Sequence, residues 1–401
     1  MTTSVFAAVE MAPRDPILGL TESFNTDARG NKVNLGVGVY LDDTGKVPLL
    51  AAVRLAERAR LETLPARAYQ PIDGPSNYNQ AVQKLLFGDH SSLLQEGRVA
   101  TIEALGGTGA LKVGADFLRR VLPEATVFIS DPSWENHRAL FEYAGFKVDT
   151  YPYYDAVSRS VDFAAMMTGI GMLPAGSIIV LHACCHNPTG ADLDAPQWRQ
   201  VIELVAARHL VPFIDMAYQG FADGIREDAR VLEWFAASGQ PFLVASSFSK
   251  SFSLYGERVG ALSIVTADGD ESARVLSQVK RVVRTNYSNP PTHGGAIVAA
   301  ILANPELRSL WESELGDMRE RIRIMRSSLA EKLKDLGVAQ DVSFITRQRG
   351  MFSYTGLSAE QVERLRDDHG IYAVSTGRIC VAALNSRNLD QVARAIVLVS
   401  V

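Results

Sequence analysis

The chain has 401 residues, 47% hydrophobic and 21% charged, with a formal net charge of −5. This composition supplies a large core, and domains of roughly 100–200 residues make two units the natural expectation. Dispersed charge argues against a nucleic-acid partner, and no run of about 18 uncharged apolar residues offers a membrane span. The first residues carry Glu10 and no basic flank before an apolar stretch, so neither a secretory nor a transit signal is read. Cys184, Cys185 and Cys380 form neither a disulfide framework nor a metal-ligand spacing, which fits a reducing cytoplasm.

In chain order, the first informative segment is Gly106-Gly107-Thr108-Gly109-Ala110-Leu111-Lys112. It opens a helical pattern in which Leu111, Ala115, Leu118 and Leu122 recur at three- and four-residue spacing. Free N–H groups at such a helix start suit a phosphate, and a tight turn of small residues is the plainer alternative. The segment matches neither the P-loop nor the dinucleotide fingerprint.

Short apolar strands then alternate with helices. Strands are predicted at 127–130, 178–182, 211–215, 243–246 and 261–265, with a helix between them marked by Trp198, Ile202 and Val205. This alternation implies an α/β unit with a mostly parallel sheet. Leu307, Leu310, Leu315, Met318, Ile322, Met325, Leu329 and Leu333 next outline a long helix. Strand-like pieces around 342–345, 351–354 and 379–382 complete a smaller α+β unit. The expected division is a large unit over 45–315 and a small one from 1–44 and 316–401, including an N-terminal arm.

Each predicted strand runs into polar residues. The first is followed by Asp131-Pro132-Ser133-Trp134-Glu135-Asn136-His137, the second by His186-Asn187-Pro188-Thr189-Gly190. The third ends in Asp215, with Tyr218 close behind, and the fourth in Ser247-Phe248-Ser249-Lys250. Open α/β sheets bind ligands beyond the carboxyl ends of their strands, so these groups are expected to share one crevice. Two hydroxyls and Arg258 near one lysine suit a phosphate dianion. A lysine directly after an apolar strand has its pKa lowered and becomes a nucleophile for an aldehyde, if it is not merely solvated. Asp215, at the end of an apolar strand, needs a cationic partner or simply caps a turn.

From about Asp15 to the C-terminus the chain resembles the aspartate and aromatic amino-acid branch of the fold-type-I, pyridoxal 5'-phosphate-dependent aminotransferases. Besides the segments above, Asn34-Leu35-Gly36-Val37-Gly38-Val39-Tyr40, Arg284-Thr285-Asn286-Tyr287-Ser288-Asn289-Pro290-Pro291 and Ser375-Thr376-Gly377-Arg378 carry the likeness. The resemblance implies a large domain with a seven-stranded, mostly parallel sheet and a smaller α+β domain. It also implies ping-pong exchange of an amino group between amino acids and 2-oxo acids, 2-oxoglutarate and glutamate among them.

By the same resemblance, Lys250 holds the cofactor and shuttles the proton, and Asp215 keeps the ring nitrogen protonated with His137 behind it. Tyr218 and Asn187 bind the phenolic oxygen, and Trp134 stacks on the ring. Gly107, Thr108, Ser247, Ser249 and Arg258 hold the phosphate. Arg378, helped by the backbone near Gly38, clamps the substrate α-carboxylate. Arg284 pairs with a side-chain carboxylate, and it and Tyr69 reach in from the neighbouring subunit of a homodimer. His182 and His186 stay outside this set as structural histidines, although His182 is expected near the ring.

Leu41, Val47 and Ala68 make the expected substrate rim less polar than in aspartate-selective relatives, whereas Thr108 and Asn289 look like the aspartate type. A dual-specificity enzyme acting on Tyr, Phe, Trp and aspartate is the reading. An aspartate specialist, a lyase or decarboxylase on the same cofactor, a non-catalytic sensor, and a nicotinamide dehydrogenase, which would lack its fingerprint and leave Lys250 unexplained, are the alternatives. The paired arginines argue against the lyase or decarboxylase. The sensor would normally carry a DNA-binding module, and no helix-turn-helix or basic extension is read here.

Overall fold

The computed structural model describes residues 4–12, 17–338 and 340–400; Asp15, where the resemblance begins, lies outside them. Seven strands form the main sheet, in the spatial order Val99–Leu105, Val259–Val265, Phe242–Ser247, Val211–Met216, Ile178–His182, Thr126–Asp131 and Lys147–Pro152. Val259–Val265 runs antiparallel to both of its neighbours, and the remaining pairs are parallel.

The central strands are apolar without alternation because both faces are covered by helices. Successive side chains go to opposite faces. Ile178, Val180, Phe213, Leu243 and Ala245 join one core, while Ile179, Leu181, Ile214, Met216 and Val244 join the other. Register then fixes the site: His182 lies opposite Asp215, Asp215 opposite Ala245, and Ser247 opposite Gly260. The polar strand ends are thus brought level along one edge.

Two strands of this sheet were not among the predicted ones. Lys147–Pro152 lies at the sheet edge and shows no period-two burial. Val99–Leu105 is nearly all buried, but polar Thr101 and Glu103 interrupt its apolar run.

The long predicted helix spans Pro305–Asp335 and runs unbroken past residue 315. Asn304 caps it, its side chain accepting from the N–H groups of Glu306 and Leu307 at 2.9 and 3.1 Å, and Pro305 sits where no N–H is needed. Trp311, Leu315, Met318, Ile322, Met325, Leu329 and Leu333 form its buried stripe.

The strand expected around 342–345 is instead a short helix, Phe344–Arg347. Asp341 accepts hydrogen bonds from the Ser343 N–H and hydroxyl at 2.8 and 2.7 Å and starts that turn. The other two pieces do form strands, Phe352–Tyr354 pairing antiparallel with Arg378–Cys380. Near the N-terminus, Val33–Asn34 pairs in parallel with Ile371–Tyr372. These pairings bring Gly38, Phe352 and Arg378 over the strand ends of the main sheet.

Candidate active site

A cavity of about 390 Å³ opens at the carboxyl ends of the central strands. Lys250, Asp215, Ser247, Ser249, Trp134, Asn187 and Tyr218 line it together with Gly38 and Arg378. Gly107, Thr108 and Arg258 complete the lining expected from sequence.

At one end the helix Gly106–Val121 begins with no side-chain cap, leaving its first N–H groups free for a ligand. Gly106 takes a positive φ of 70°, and a Cβ there would come within 2.5 Å of the Arg258 guanidinium. A Cβ on Gly107 would lie 3.1 Å from Ser247 Cβ. Glycines therefore let the helix start, Ser247 and Arg258 approach one point. Arg258 Nη1 donates to Ser249 Oγ at 3.2 Å and to the Tyr255 carbonyl at 3.0 Å, so it is already oriented. Backbone N–H groups, two hydroxyls and a guanidinium form a donor set that fits a phosphate dianion.

At the other end Asp215 is buried, and its Oδ2 accepts from His137 Nε2 at 3.0 Å. His137 Nδ1 shares a 2.9 Å hydrogen bond with Ser133 Oγ. Burial works to raise the Asp215 pKa, but the His137 hydrogen bond, with the neighbouring His137, His182 and Lys250, outweighs it and leaves it lowered. An ionised carboxylate thus faces the cavity. Enclosure pulls the Lys250 ammonium down to about 8, with Arg258 and Arg378 adding to the fall against the pull of Asp215. Its Nζ lies 4.9 Å from the centre of the Tyr218 ring. Burial raises the Tyr218 phenol well above its ordinary range, keeping it a donor.

Arg378 is a buried cation held by neutral groups. Nη1 donates to Asn187 Oδ1 at 3.0 Å and Nη2 to the Gly36 carbonyl at 2.7 Å. Its guanidinium carbon lies 4.2 Å from the Phe352 ring centre, and Nε has no partner among the described residues. Leaving a buried charge without a counter-charge costs several kcal/mol, which an incoming carboxylate would recover.

His182 also lines the cavity, and both its ring nitrogens are buried without a partner among the described residues. Burial, with His137 beside it, drops its pKa to about 3, so it is neutral. His137, His182 and Asp215 present ligand atoms within 4.8 Å of one another, a spacing also open to a metal ion. Sequence reasoning left His182 out of the site and gave Val37, Tyr255 and Phe352 no role in it. Tyr255 Oη accepts from the Tyr40 N–H at 2.9 Å and so ties the N-terminal segment to the cavity wall. His186 is structural, bonded to Ser130 and Thr189 and stacked on Tyr153 at 4.0 Å.

Arg284 and Tyr69 are not in this cavity. Arg284 is exposed and donates to Ser288 Oγ, and Tyr69 is 93% exposed. Leu41, Val47 and Ala68 do not line the cavity either: Leu41 packs against the core, and the other two are exposed.

The model of the aminotransferase class I and II family matches residues 30–396. An aspartate aminotransferase of Pseudomonas aeruginosa is 64% identical over 394 residues, covering 98% of this chain and 99% of its own length. The aromatic-amino-acid aminotransferase of Escherichia coli K12 is 50% identical over 98% of this chain and 99% of its own. The crystal structure of an aromatic-amino-acid aminotransferase from Burkholderia pseudomallei, covalently bound to pyridoxal phosphate, superposes with a TM-score of 0.97 at 65% identity, covering 99% and 100% of the two chains. The chain belongs to the aminotransferase class I and II family.

Proposed function

We propose that this aminotransferase works with pyridoxal 5'-phosphate and exchanges amino groups among aspartate, glutamate, the aromatic amino acids and their 2-oxo acids. The observation that carries the reading is one cavity holding a phosphate cradle, an ionised carboxylate, a lysine of lowered pKa and a buried arginine without a counter-charge. The cofactor, when bound, supplies an electron sink for the bond broken at the substrate Cα.

The protein's own groups divide the remaining work. Lys250 would hold the cofactor through its aldehyde and would carry the proton to and from the substrate Cα. Asp215, steadied by His137, holds a proton on the ring nitrogen. Trp134 would pack on the ring, Asn187 and Tyr218 would donate to the ring oxygen, and Gly107, Thr108, Ser247, Ser249 and Arg258 would retain the phosphate. Arg378 binds the α-carboxylate beside Gly38, so that the Cα proton points at Lys250. Arg284 and Tyr69 serve the neighbouring subunit of a homodimer. Exposed Val47, Leu49, Leu61 and Leu64 support this, being apolar surface on the same stretch as Tyr69.

The aromatic preference is supported by the apolar walls at Val37, Leu111, Tyr255 and Phe352, against which a ring buries area. The cavity is also lined from both expected units, Val37, Gly38, Phe352 and Arg378 among the residues from one and Asp215, Ser249 and Lys250 among those from the other, which favours their closing on substrate. Three unpaired cysteines suit a cytoplasmic protein.

The test is kcat/KM for phenylalanine and aspartate with 2-oxoglutarate as acceptor. Values within about a hundredfold of each other support dual specificity; an aromatic value more than about a thousandfold below aspartate leaves an aspartate enzyme.

A further inference from the structure

Arg326 is a buried cation that the proposed chemistry does not use. It lies on the helix Pro305–Asp335, is 3% exposed, and spends its guanidinium on main-chain carbonyls. Nη1 donates to the Ile345 carbonyl at 2.9 Å. Nη2 reaches the carbonyls of Arg349 at 3.3 Å, Gly350 at 2.8 Å and Phe352. These oxygens all belong to one short stretch, residues 345–352. Without a cation between them they would face one another in the interior with no donor. Arginine alone among side chains offers enough N–H groups, in one rigid plane, to serve them together.

The gathered stretch ends on Phe352, whose ring lines the cavity. Cys380 faces Phe352 across the strand pair but gives its N–H to the Leu35 carbonyl at 2.7 Å, so the Phe352 carbonyl turns to Arg326 instead. The ring itself is wedged in place. Its centre lies 4.2 Å from the Arg378 guanidinium carbon and 5.9 Å, edge to face, from the Tyr218 ring, and a Cβ on Gly38 would come within 2.7 Å of its Cζ. The stretch has no slack on its far side either. The Arg349 N–H donates to the Gly190 carbonyl at 2.7 Å, and a Cβ on Gly190 would meet the Phe352 carbonyl at 2.9 Å.

We propose that Arg326 is a positioning residue for the carboxylate clamp: by gathering the carbonyls of 345–352 it sets the Phe352 ring against Arg378, and so fixes the plane in which Arg378 meets a carboxylate. This rests on the reading above, in which Arg378 binds the substrate α-carboxylate. A two-pronged guanidinium–carboxylate contact depends on direction, so tilting the backing ring weakens it. Arg326 lines no part of the cavity. Its loss is therefore expected in the binding of every α-carboxylate, and not in retention of the cofactor.

The experiment measures, by calorimetry on the holoenzyme, the Kd of 3-phenylpropionate, a carboxylate with no amino group to react. Arg326→Lys keeps the charge and loses the planar fork. It is expected to raise that Kd about tenfold, and the KM of aspartate and phenylalanine by the same factor with kcat within about threefold. Cofactor content and absorbance stay those of the wild type. Phe352→Leu is expected to raise the Kd by itself, and Arg326→Lys then to add less than about threefold, because it acts through that ring. Effects that multiply in full, as two independent structural losses would, or a wild-type Kd in Arg326→Lys, would overturn the proposal.

A second readout needs no substitution at Arg326. If seating the stretch strengthens carboxylate binding about tenfold, binding must strengthen the seating by the same factor. Saturating 3-phenylpropionate is therefore expected to slow hydrogen exchange of residues 345–352 in the wild type, relative to the main-sheet strands. Slowed exchange around Arg378 with none in 345–352 would overturn the proposal even if Arg326→Lys failed to fold. Arg378→Ala separates the two claims. If it binds the probe as tightly as the wild type, the clamp reading falls and the proposal with it. If it loses the probe while Arg326→Lys keeps it, the proposal alone falls.

Discussion

Arg378 and Arg284 are both assigned to carboxylates, yet they stand in opposite surroundings. Arg378 is 2% exposed, fixed by Asn187 and Gly36 and backed by Phe352. Arg284 lies on the outer end of the helix Gly269–Asn286, in solvent, with Ser288 as its partner. The buried half of the site is complete within one chain, pre-oriented and already desolvated, so its charges act in a low dielectric. In the proposed homodimer, the exposed half is completed by the neighbouring chain. On the proposed reading, the chemistry and the α-carboxylate clamp belong to the fold, while recognition of a side-chain carboxylate belongs to the assembly.

Variants in the two regions separate these contributions. The largest effect is expected for Lys250→Ala, since the amine serves as both cofactor anchor and proton carrier. Turnover should fall by at least about 10⁴-fold, checked in single-turnover mixing. Next is Arg378→Ala, which removes a desolvated clamp common to all substrates. It should lower kcat/KM for aspartate and phenylalanine alike by about 10²–10⁴-fold, with Arg378→Lys recovering little because the planar fork is lost. Arg284→Ala should lower kcat/KM for aspartate by about 10²-fold and leave phenylalanine within a few-fold. Equal losses on both substrates would erase the distinction between the two halves.

The smallest effect is kinetic. After removal of the cofactor, only the neutral Lys250 amine attacks added pyridoxal phosphate. Its pKa is lowered to about 8, so the rate of colour recovery should rise with pH and level off above that value. A rate still climbing through the ordinary lysine range would show that the cavity does not perturb Lys250.

Much of the buried half was legible in the sequence. Asp215 and Lys250 each follow an apolar run, and polar groups at strand ends have one common place to go in a parallel sheet. Phe352 and Tyr255 were not legible, because an isolated aromatic residue reads as core until the chain's return path is known. His182 sits at the last position of a buried strand, where satisfied and unsatisfied histidines look alike. The misread helix Phe344–Arg347 is too short to show a period, and the edge strand Lys147–Pro152 has no regular one. The roles proposed for Tyr69 and Arg284 come only from the family resemblance, since exposed residues leave no trace in hydrophobic pattern.

The most direct test of the central claim is to reduce the yellow holoenzyme with borohydride, which fixes the lysine–cofactor bond, then digest it and locate the modified residue by mass spectrometry. The account predicts a single adduct on Lys250. An adduct on a different lysine, or none at all in a fully folded protein, would contradict it.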